Sequence, residues 1–226
     1  LQLALKYGQQ EMRRPVEIEF AATMSREKDK TGTFYLLQIR PIVDSKEMLD
    51  EDLTAIPDEQ LLLRSNNSLG HGIMNELVYV KTDDYSASHN QDIAWEIEKL
   101  NQQFLNEGKN YVLIGPGRWG SSDTWLGIPV KWPHISAARI IVEAGLTNYR
   151  VDPSQGTHFF QNLTSFGVGY FTINAFMNDG VYNQDFLNTQ PAVHETKYLR
   201  HVHFEHPIVA KMDGKKKQGV VLLPDS

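Results

Sequence analysis

The chain has 226 residues, of which 41% are hydrophobic and 22% are charged, so it can form a globular protein with one or two packed domains. Its formal net charge of -6 disfavours nucleic acid as a partner, because phosphate neutralisation needs a basic surface. The absence of cysteine excludes disulfides and thiol catalysis, and no stretch is apolar enough to span a membrane, so we expect a cytoplasmic protein that does not bind membranes.

A helix and a strand open the predicted structure. Residues 1–10 have helical apolar spacing that ends near Gly8. This stretch is typical of the tail of an apolar helix and the chain does not open with methionine, so we expect it to begin inside a larger protein. Residues 16–20 then alternate apolar and acidic side chains, which predicts a strand with Glu17 and Glu19 on one face.

Residues 34–40 predict the returning strand of a hairpin that has a polar face. In a symmetric register Glu19 lies opposite Gln38. Glu17 then lies opposite Arg40, so that two carboxylates, an amide and a guanidinium meet on one face. The pattern alone favours a cross-strand ion pair. The alternative is a polar wall that binds magnesium through Glu19 and phosphate through Arg40.

The two strand sequences, VEIEFA and LLQIRPI, resemble the closing hairpin of an ATP-grasp-like nucleotide-binding domain. This is the domain of the phosphoenolpyruvate synthase and pyruvate, phosphate dikinase family, in which an acidic strand precedes the pattern L-x-Q-x-R-P. The resemblance implies that Glu19 and Glu17 bind Mg²⁺ and that Gln38 and Arg40 bind the phosphates of ATP. It also implies that residues 1–44 are the last piece of that domain.

For the whole protein, the resemblance implies an ATP-dependent phosphotransferase that converts ATP and pyruvate to phosphoenolpyruvate through a phosphohistidine. The remainder of the ATP site would then precede residue 1, and the isolated chain would be inactive. ATP, Mg²⁺ and pyruvate or phosphoenolpyruvate are the ligands that this implies. The sequence leaves a homo-oligomer open.

The rest of the chain predicts a second, mixed α/β domain. Residues 45–60 are acidic and contain a proline, which predicts a linker or a short amphipathic helix before a domain spanning 61–226. A strand at 77–80, a helix at 92–106 and a strand at 111–114 predict a βαβ unit. The segment SLGHGIMNELVYV is similar to the opening of the family's swivelling phosphohistidine domain, which implies a divergent swivelling β/α/β domain with additional strands.

A glycine-rich turn follows the buried strand at 111–114. Backbone N–H groups around Gly117 can cradle an anion, and Arg118, Ser121 and Ser122 would add charged and hydroxyl donors. The turn lacks the spacing of a Walker phosphate loop, which favours the alternative of a tight turn with an exposed arginine.

The histidine that carries the phosphoryl group in the resembling family is missing from its usual place. In that family it lies in a T-x-S-H-A segment just before an L-G-I-P turn, and this chain keeps LGIP at 126–129 but has Arg118 at the matching position. His158 is our catalytic candidate instead, with His134 as another, although a hydrogen-bonded structural histidine is the simpler interpretation of His158. The missing histidine also favours a second function: a non-catalytic anion-binding or regulatory module.

Two patterns remain in the last part of the chain. Aromatic and β-branched residues interrupted by glycine predict two strands between residues 151 and 174. His201 and His203 share a face of a later strand, which raises zinc as an alternative ligand. Only Glu205 adds a nearby carboxylate, so a tetrahedral set is incomplete.

Overall fold

The computed structural model describes residues 2–12, 16–23, 32–41, 52–147, 150–152, 154, 158–213 and 216–224. The chain divides into two compact units, Leu1–Asp44 and Ser45–Ser226. Among the helices of the described residues, none is long and apolar enough to cross a bilayer.

The first unit consists of helix α1 (Gln2–Met12) and an antiparallel hairpin of β1 (Val16–Thr23) and β2 (Thr33–Pro41). The hairpin pairs Glu17 with Arg40 and Glu19 with Gln38, which confirms the predicted register. A bulge follows Glu19 and shifts the pairing of the remaining residues. The backbone therefore brings the four polar residues of the hairpin together in two cross-strand pairs.

The second unit contains three helices and twelve strands in its described residues. They are β3 (Leu61–Ser65), β4 (Asn67–Leu69), β5 (Gly72–Val80), α2 (Asn90–Glu107), β6 (Tyr111–Pro116), β7 (Arg118–Trp119), β8 (Gly127–Ile128), β9 (Ala138–Ala144), α3 (His158–Ser165), β10 (Gly169–Ile173), β11 (Val181–Tyr182), α4 (Gln184–Thr189), β12 (Ala192–Glu195), β13 (Leu199–Asp213) and β14 (Gln218–Leu222). Strands β7 and β8 pair only with each other among these residues.

The other ten strands form one mixed sheet in the order β11-β3-β14-β13-β5-β6-β9-β10-β4, with β12 paired to β13. Strands β5, β6, β9 and β10 are mutually parallel, whereas β13, β14 and β3 run antiparallel to their neighbours. Strands β3 and β4 lie near opposite ends of this order, yet Asn66 alone separates them. Ser65 Oγ in β3 donates a hydrogen bond to the Thr172 carbonyl in β10 at 2.6 Å, which holds the two ends of the sheet together.

Helix α2 crosses between two parallel strands. Its apolar residues recur every three or four positions and are buried against the sheet: Ile93, Ile97, Leu100 and Phe104. Gly108 ends the helix in the left-handed conformation, with φ 65°. Its N–H donates a hydrogen bond to the carbonyl groups of Phe104 and Leu105 in the last turn. The predicted βαβ unit is thereby confirmed as β5–α2–β6.

Two large apolar clusters lie on the two faces of the parallel strands, and a smaller third cluster joins Leu53 to β3 and β14. In β5, Val78 and Val80 belong to the cluster under α2 and α3, whereas Leu77 and Tyr79 belong to the cluster shared with β13, β14 and β3. This alternation follows from the strand period of two and explains why the strand sequence is continuously apolar. The predicted class, mixed α/β, is confirmed.

One local expectation needs correction. Residues 158–165 form helix α3, so among the described residues between 151 and 174 only β10 is a strand, where two were expected. The reason is that Phe159, Phe160 and Leu163 face the core cluster at helical spacing. The described part of the predicted linker, residues 52–60, forms two short 3-10 helices, and Leu53 is buried against β3 and β14.

Candidate functional site

A buried carboxylate, Glu76, lies in the middle of the sheet on β5. Its partner across the antiparallel β5–β13 ladder is His203, and His201 lies two residues earlier on β13. Because side chains alternate along a strand, all three lie on the sheet face that carries α2. Glu76 is only 3% exposed, so its charge needs partners within the protein.

Three cationic or cationisable groups surround the Glu76 carboxylate. His201 Nε2 lies 2.7 Å from Oε2, His203 Nδ1 lies 3.0 Å from Oε1, and Lys109 Nζ lies 3.3 Å from Oε1. Lys109 follows the Gly108 cap of α2 and also reaches Glu107 Oε2 at 2.8 Å. Both carboxylate oxygens of Glu76 are thus engaged by side chains from β13 and from the end of α2.

These side chains line a cleft of about 380 Å³ between the end of α2 and the β12–β13 pair, which we call the Glu76 cleft. Its apolar wall consists of Leu100, Phe104 and Val193. His201 is buried, with its ring edge-on to Phe104 at 4.9 Å, whereas the His203 side chain is 44% exposed. The volume is within the range of small-molecule sites in proteins.

The charge state of Glu76 sets the chemistry of both imidazoles. Burial raises the pKa of Glu76, but hydrogen bonds from His201, His203 and Lys109 lower it by more than burial raises it. The pKa of Glu76 therefore lies below its ordinary value. An ionised carboxylate only accepts hydrogen bonds, so His203 presents its Nδ1–H to Glu76. In the neutral ring the lone pair is then on Nε2, which suits a nucleophile or a base.

A second buried glutamate, Glu143 at the end of β9, holds the loops at the carboxyl ends of the parallel strands. Its Oε1 accepts the Trp119 N–H at 3.0 Å and the Ser154 hydroxyl at 2.7 Å, and its Oε2 accepts the Tyr170 hydroxyl at 2.5 Å. Burial raises the pKa of Glu143 despite these hydrogen bonds. Each of its contacts is internal, which indicates a structural role.

The predicted anion-binding turn, residues 115–122, has its backbone donors at 117–120 paired within the chain. The N–H groups of Gly117, Arg118, Trp119 and Gly120 each donate within the chain, to Ala144 O, Leu126 O, Glu143 Oε1 and Ile128 O. Ser121 Oγ donates to Asp123 O, Ser122 is exposed, and Arg118 Nε donates to Asp152 O at 3.2 Å. The turn therefore has the geometry of a structural corner, which was the alternative interpretation.

The remaining predicted residues are only partly described. His158 begins α3, but its side chain lies outside the described part of the structure, as do those of Glu17 and Arg40. Glu19 is exposed and Gln38 is partly buried. An exposed carboxylate on a paired strand fits the sparse protein ligation that Mg²⁺ accepts, since this ion keeps several waters.

Sequence reasoning missed Glu76, Lys109 and His194 as site residues. Glu76 interrupts the apolar run of β5, and a charged residue in a strand buried on both faces is the signal that could have identified it. The zinc alternative finds no support, because no group of three or more potential ligands in the described residues is placed to hold a metal. Instead, His201 and His203 both bond directly to Glu76.

We expect the two buried glutamates to affect stability with opposite pH dependence. The lowered pKa of Glu76 contributes stability above its unfolded pKa, and this is lost as pH falls through the folded pKa. The raised pKa of Glu143 contributes stability at low pH that is lost as pH rises through its folded pKa. Urea unfolding between pH 3 and pH 8 should therefore show the Glu76→Gln penalty shrinking below about pH 4.5 and the Glu143→Gln penalty shrinking above it. Parallel pH profiles for the two variants would contradict this assignment.

Comparison of the chain with protein-family models, with curated proteins and with solved structures finds no match. The chemistry of the Glu76 cleft therefore has to be argued from its own geometry.

Proposed function

We propose that this chain is part of an ATP-dependent phosphotransferase and that His203 accepts the phosphoryl group. The observation that carries the proposal is the hydrogen bond from His203 Nδ1 to the buried Glu76 carboxylate. The His203 side chain is 44% exposed and lines the Glu76 cleft. A fixed tautomer with its second nitrogen available is what a nucleophilic histidine requires.

The transfer step balances without a further proton carrier. The lone pair on His203 Nε2 attacks the phosphorus of a phosphoanhydride, the bond from phosphorus to the bridging oxygen breaks, and that oxygen leaves with the electron pair. The imidazole ring gains positive charge as the N–P bond forms. The ionised Glu76 carboxylate lies 3.0 Å from Nδ1 and stabilises that positive charge. Because Glu76 is buried, the local dielectric is low and the stabilisation is stronger than in water.

The resemblance of the hairpin supplies the other parts of the proposal. Glu19 and Glu17 would hold Mg²⁺, and Gln38 and Arg40 would bind the phosphates of ATP; the cross-strand pairing of these four residues supports that grouping. Bound Mg²⁺ would neutralise charge on the phosphates. Pyruvate is the proposed acceptor and phosphoenolpyruvate the proposed product.

The same resemblance supplies the architecture that we propose. Residues 1–44 are the closing piece of an ATP-grasp-like domain, and 61–226 are a divergent swivelling domain. The parallel β5–α2–β6 unit, which begins with the segment similar to the opening of the swivelling domain, supports this assignment. We place the protein in the cytoplasm.

Phosphorylation mapping tests the proposal. The protein that carries the whole ATP site is incubated with ATP and Mg²⁺, and this chain alone is incubated with phosphoramidate, a small phosphoryl donor. Acid-labile phosphate is then located by tandem mass spectrometry. We expect His203 to be labelled, and we expect His203→Asn to reduce labelling by at least about 100-fold, because the accepting nitrogen is removed. Glu76→Gln should reduce labelling less severely, because Nε2 remains while its supporting charge is lost.

His89→Asn is the matched control, since His89 lies outside the Glu76 cleft and its ring contacts that of Tyr198 at a tilted angle. Equal labelling of His203→Asn and the control would refute His203 as the acceptor. In that result the non-catalytic module becomes the better interpretation, and the Glu76 cluster is an ion network that stabilises the β5–β13 pair.

A further inference from the structure

The Glu76 cleft is lined by three histidines, whose protonation changes its charge. His194 on β12 is the direct partner of His201 across the β12–β13 ladder, and both line the cleft with His203. The other charged groups that face it are Glu76 from β5, Glu107 from the end of α2, and Lys109. Each element packed around the cleft therefore contributes at least one titratable or charged group.

Protonation of the histidines reverses the sign of the cleft. With the three histidines neutral, one lysine faces two glutamates, which leaves one formal negative charge. With the three histidines protonated, the same set carries two formal positive charges. Histidine is the side chain that most readily changes its charge by protonation under mild conditions, so these three rings are the groups that can reverse the charge of the cleft.

The cleft has more unused hydrogen-bond donors than unused acceptors to offer a ligand. Both oxygens of Glu76 already accept from His201, His203 and Lys109. The ammonium group of Lys109 has three N–H donors, and its two ion-pair contacts use two of them. A protonated His203 adds its Nε2–H, and the described residues include no second partner for that ring beyond Glu76.

Apolar side chains also line the cleft. Leu100 and Phe104 of α2 and Val193 of β12 contribute to its lining, and Leu100 and Phe104 are buried. Electrostatic attraction at a given distance is stronger where the effective dielectric is lower.

We infer that the Glu76 cleft binds a small dianionic oxyanion with uptake of protons by His194, His201 and His203. The inference rests on the proposed function for the class of ligand, a phosphoryl group. Binding of the anion does not require that a phosphoryl group be transferred to His203. Lys109 supplies the constant positive charge and the histidines supply the part that depends on pH. Affinity therefore rises as pH falls from 8 to 6.

Sulfate is the probe, because its charge stays constant over this pH range whereas that of phosphate does not. Calorimetric titration of the protein with sulfate, at fixed ionic strength, should show at least about tenfold tighter binding at pH 6 than at pH 8. Repeating the titration in buffers of different ionisation enthalpy should show net proton uptake at pH 7. Histidine ring NMR signals should report a higher pKa for His194 and His203 in the presence of sulfate.

Two variants locate the site. Lys109→Met and His194→Gln should each weaken sulfate binding at pH 6 by about tenfold, whereas Lys99→Met, an exposed lysine on α2, should leave it unchanged. Affinity that is equal at pH 6 and pH 8, or equal in Lys109→Met and the Lys99→Met control, would overturn the inference. Sulfate binding with this pH dependence in a protein that labels no histidine would refute the proposed function alone. Labelling of His203 without such binding would refute this inference alone.

Discussion

Replacing Glu143 by alanine should lower the free energy of unfolding by about 3–4 kcal/mol, because three buried donors would lose their shared acceptor. These donors are the Trp119 N–H and the hydroxyls of Ser154 and Tyr170, and Glu143 itself is 0% exposed. The loss should be measured by urea unfolding at pH 7 with fluorescence, since the buried Trp119 side chain reports on the same region.

Two comparisons make this prediction specific. Glu143→Gln keeps one acceptor oxygen, so its loss should be clearly smaller than that of Glu143→Ala. Glu98→Ala removes a half-exposed glutamate from α2 and should change the free energy of unfolding by less than about 0.5 kcal/mol. If Glu143→Ala unfolds at the same urea concentration as Glu98→Ala, the internal network does not hold the loops at this edge.

Substituting Glu19 by glutamine should reduce ATP-dependent phosphoryl transfer by about 100-fold or more in the protein that carries the whole ATP site, while its melting temperature stays unchanged. The motive is the pairing of Glu19 with Gln38 and of Glu17 with Arg40 in the hairpin, together with the family resemblance. Removing a metal ligand subtracts charge stabilisation from the transition state. Because Glu19 is exposed, it contributes little to folding.

The control for this experiment is Glu11→Gln, which neutralises an exposed glutamate on α1. Activity and melting temperature have to be measured on the same preparations, so that lost turnover can be separated from lost fold. Near-normal transfer in Glu19→Gln would reduce the hairpin cluster to an ordinary cross-strand pair and remove Mg²⁺ binding from this strand.

Elements with a strong local pattern were predictable from the amino-acid sequence. Helix α2 has apolar residues at helical spacing and a glycine directly after its last turn, and its predicted bounds, 92–106, differ from Asn90–Glu107 by only a few residues. The register assumed for Glu17 and Glu19 is the observed one, although a bulge after Glu19 shifts the pairing nearer the connection. These features depend on interactions between neighbours in the sequence, which is why periodicity suffices to find them.

Helix α3 shows where local pattern was insufficient. Its aromatic residues have high strand propensity, and strand propensity chiefly reflects packing on a half-buried surface. In the folded chain, Phe159, Phe160 and Leu163 pack on the core cluster beneath the helices, so that tertiary burial selects a helix. The burial partners come from distant strands, and a short window of sequence does not contain them.

The sites depended most strongly on tertiary structure. The sequence grouped Arg118, Ser121 and Ser122 as donors in one turn, whereas Arg118 lies in the short strand β7. Whether the N–H groups of 117 and 119 were free depended on Ala144 and Glu143 of β9, which they meet only in the folded sheet. The sequence also placed His201 and His203 on one strand face. Their partner Glu76 lies 125 residues before His201, and only the antiparallel pairing of β5 with β13 sets one carboxylate between the two imidazoles. Local periodicity determines which side chains of one strand share a face. Strand pairing determines which side chains of different strands become neighbours, and the Glu76 cluster depends on that pairing.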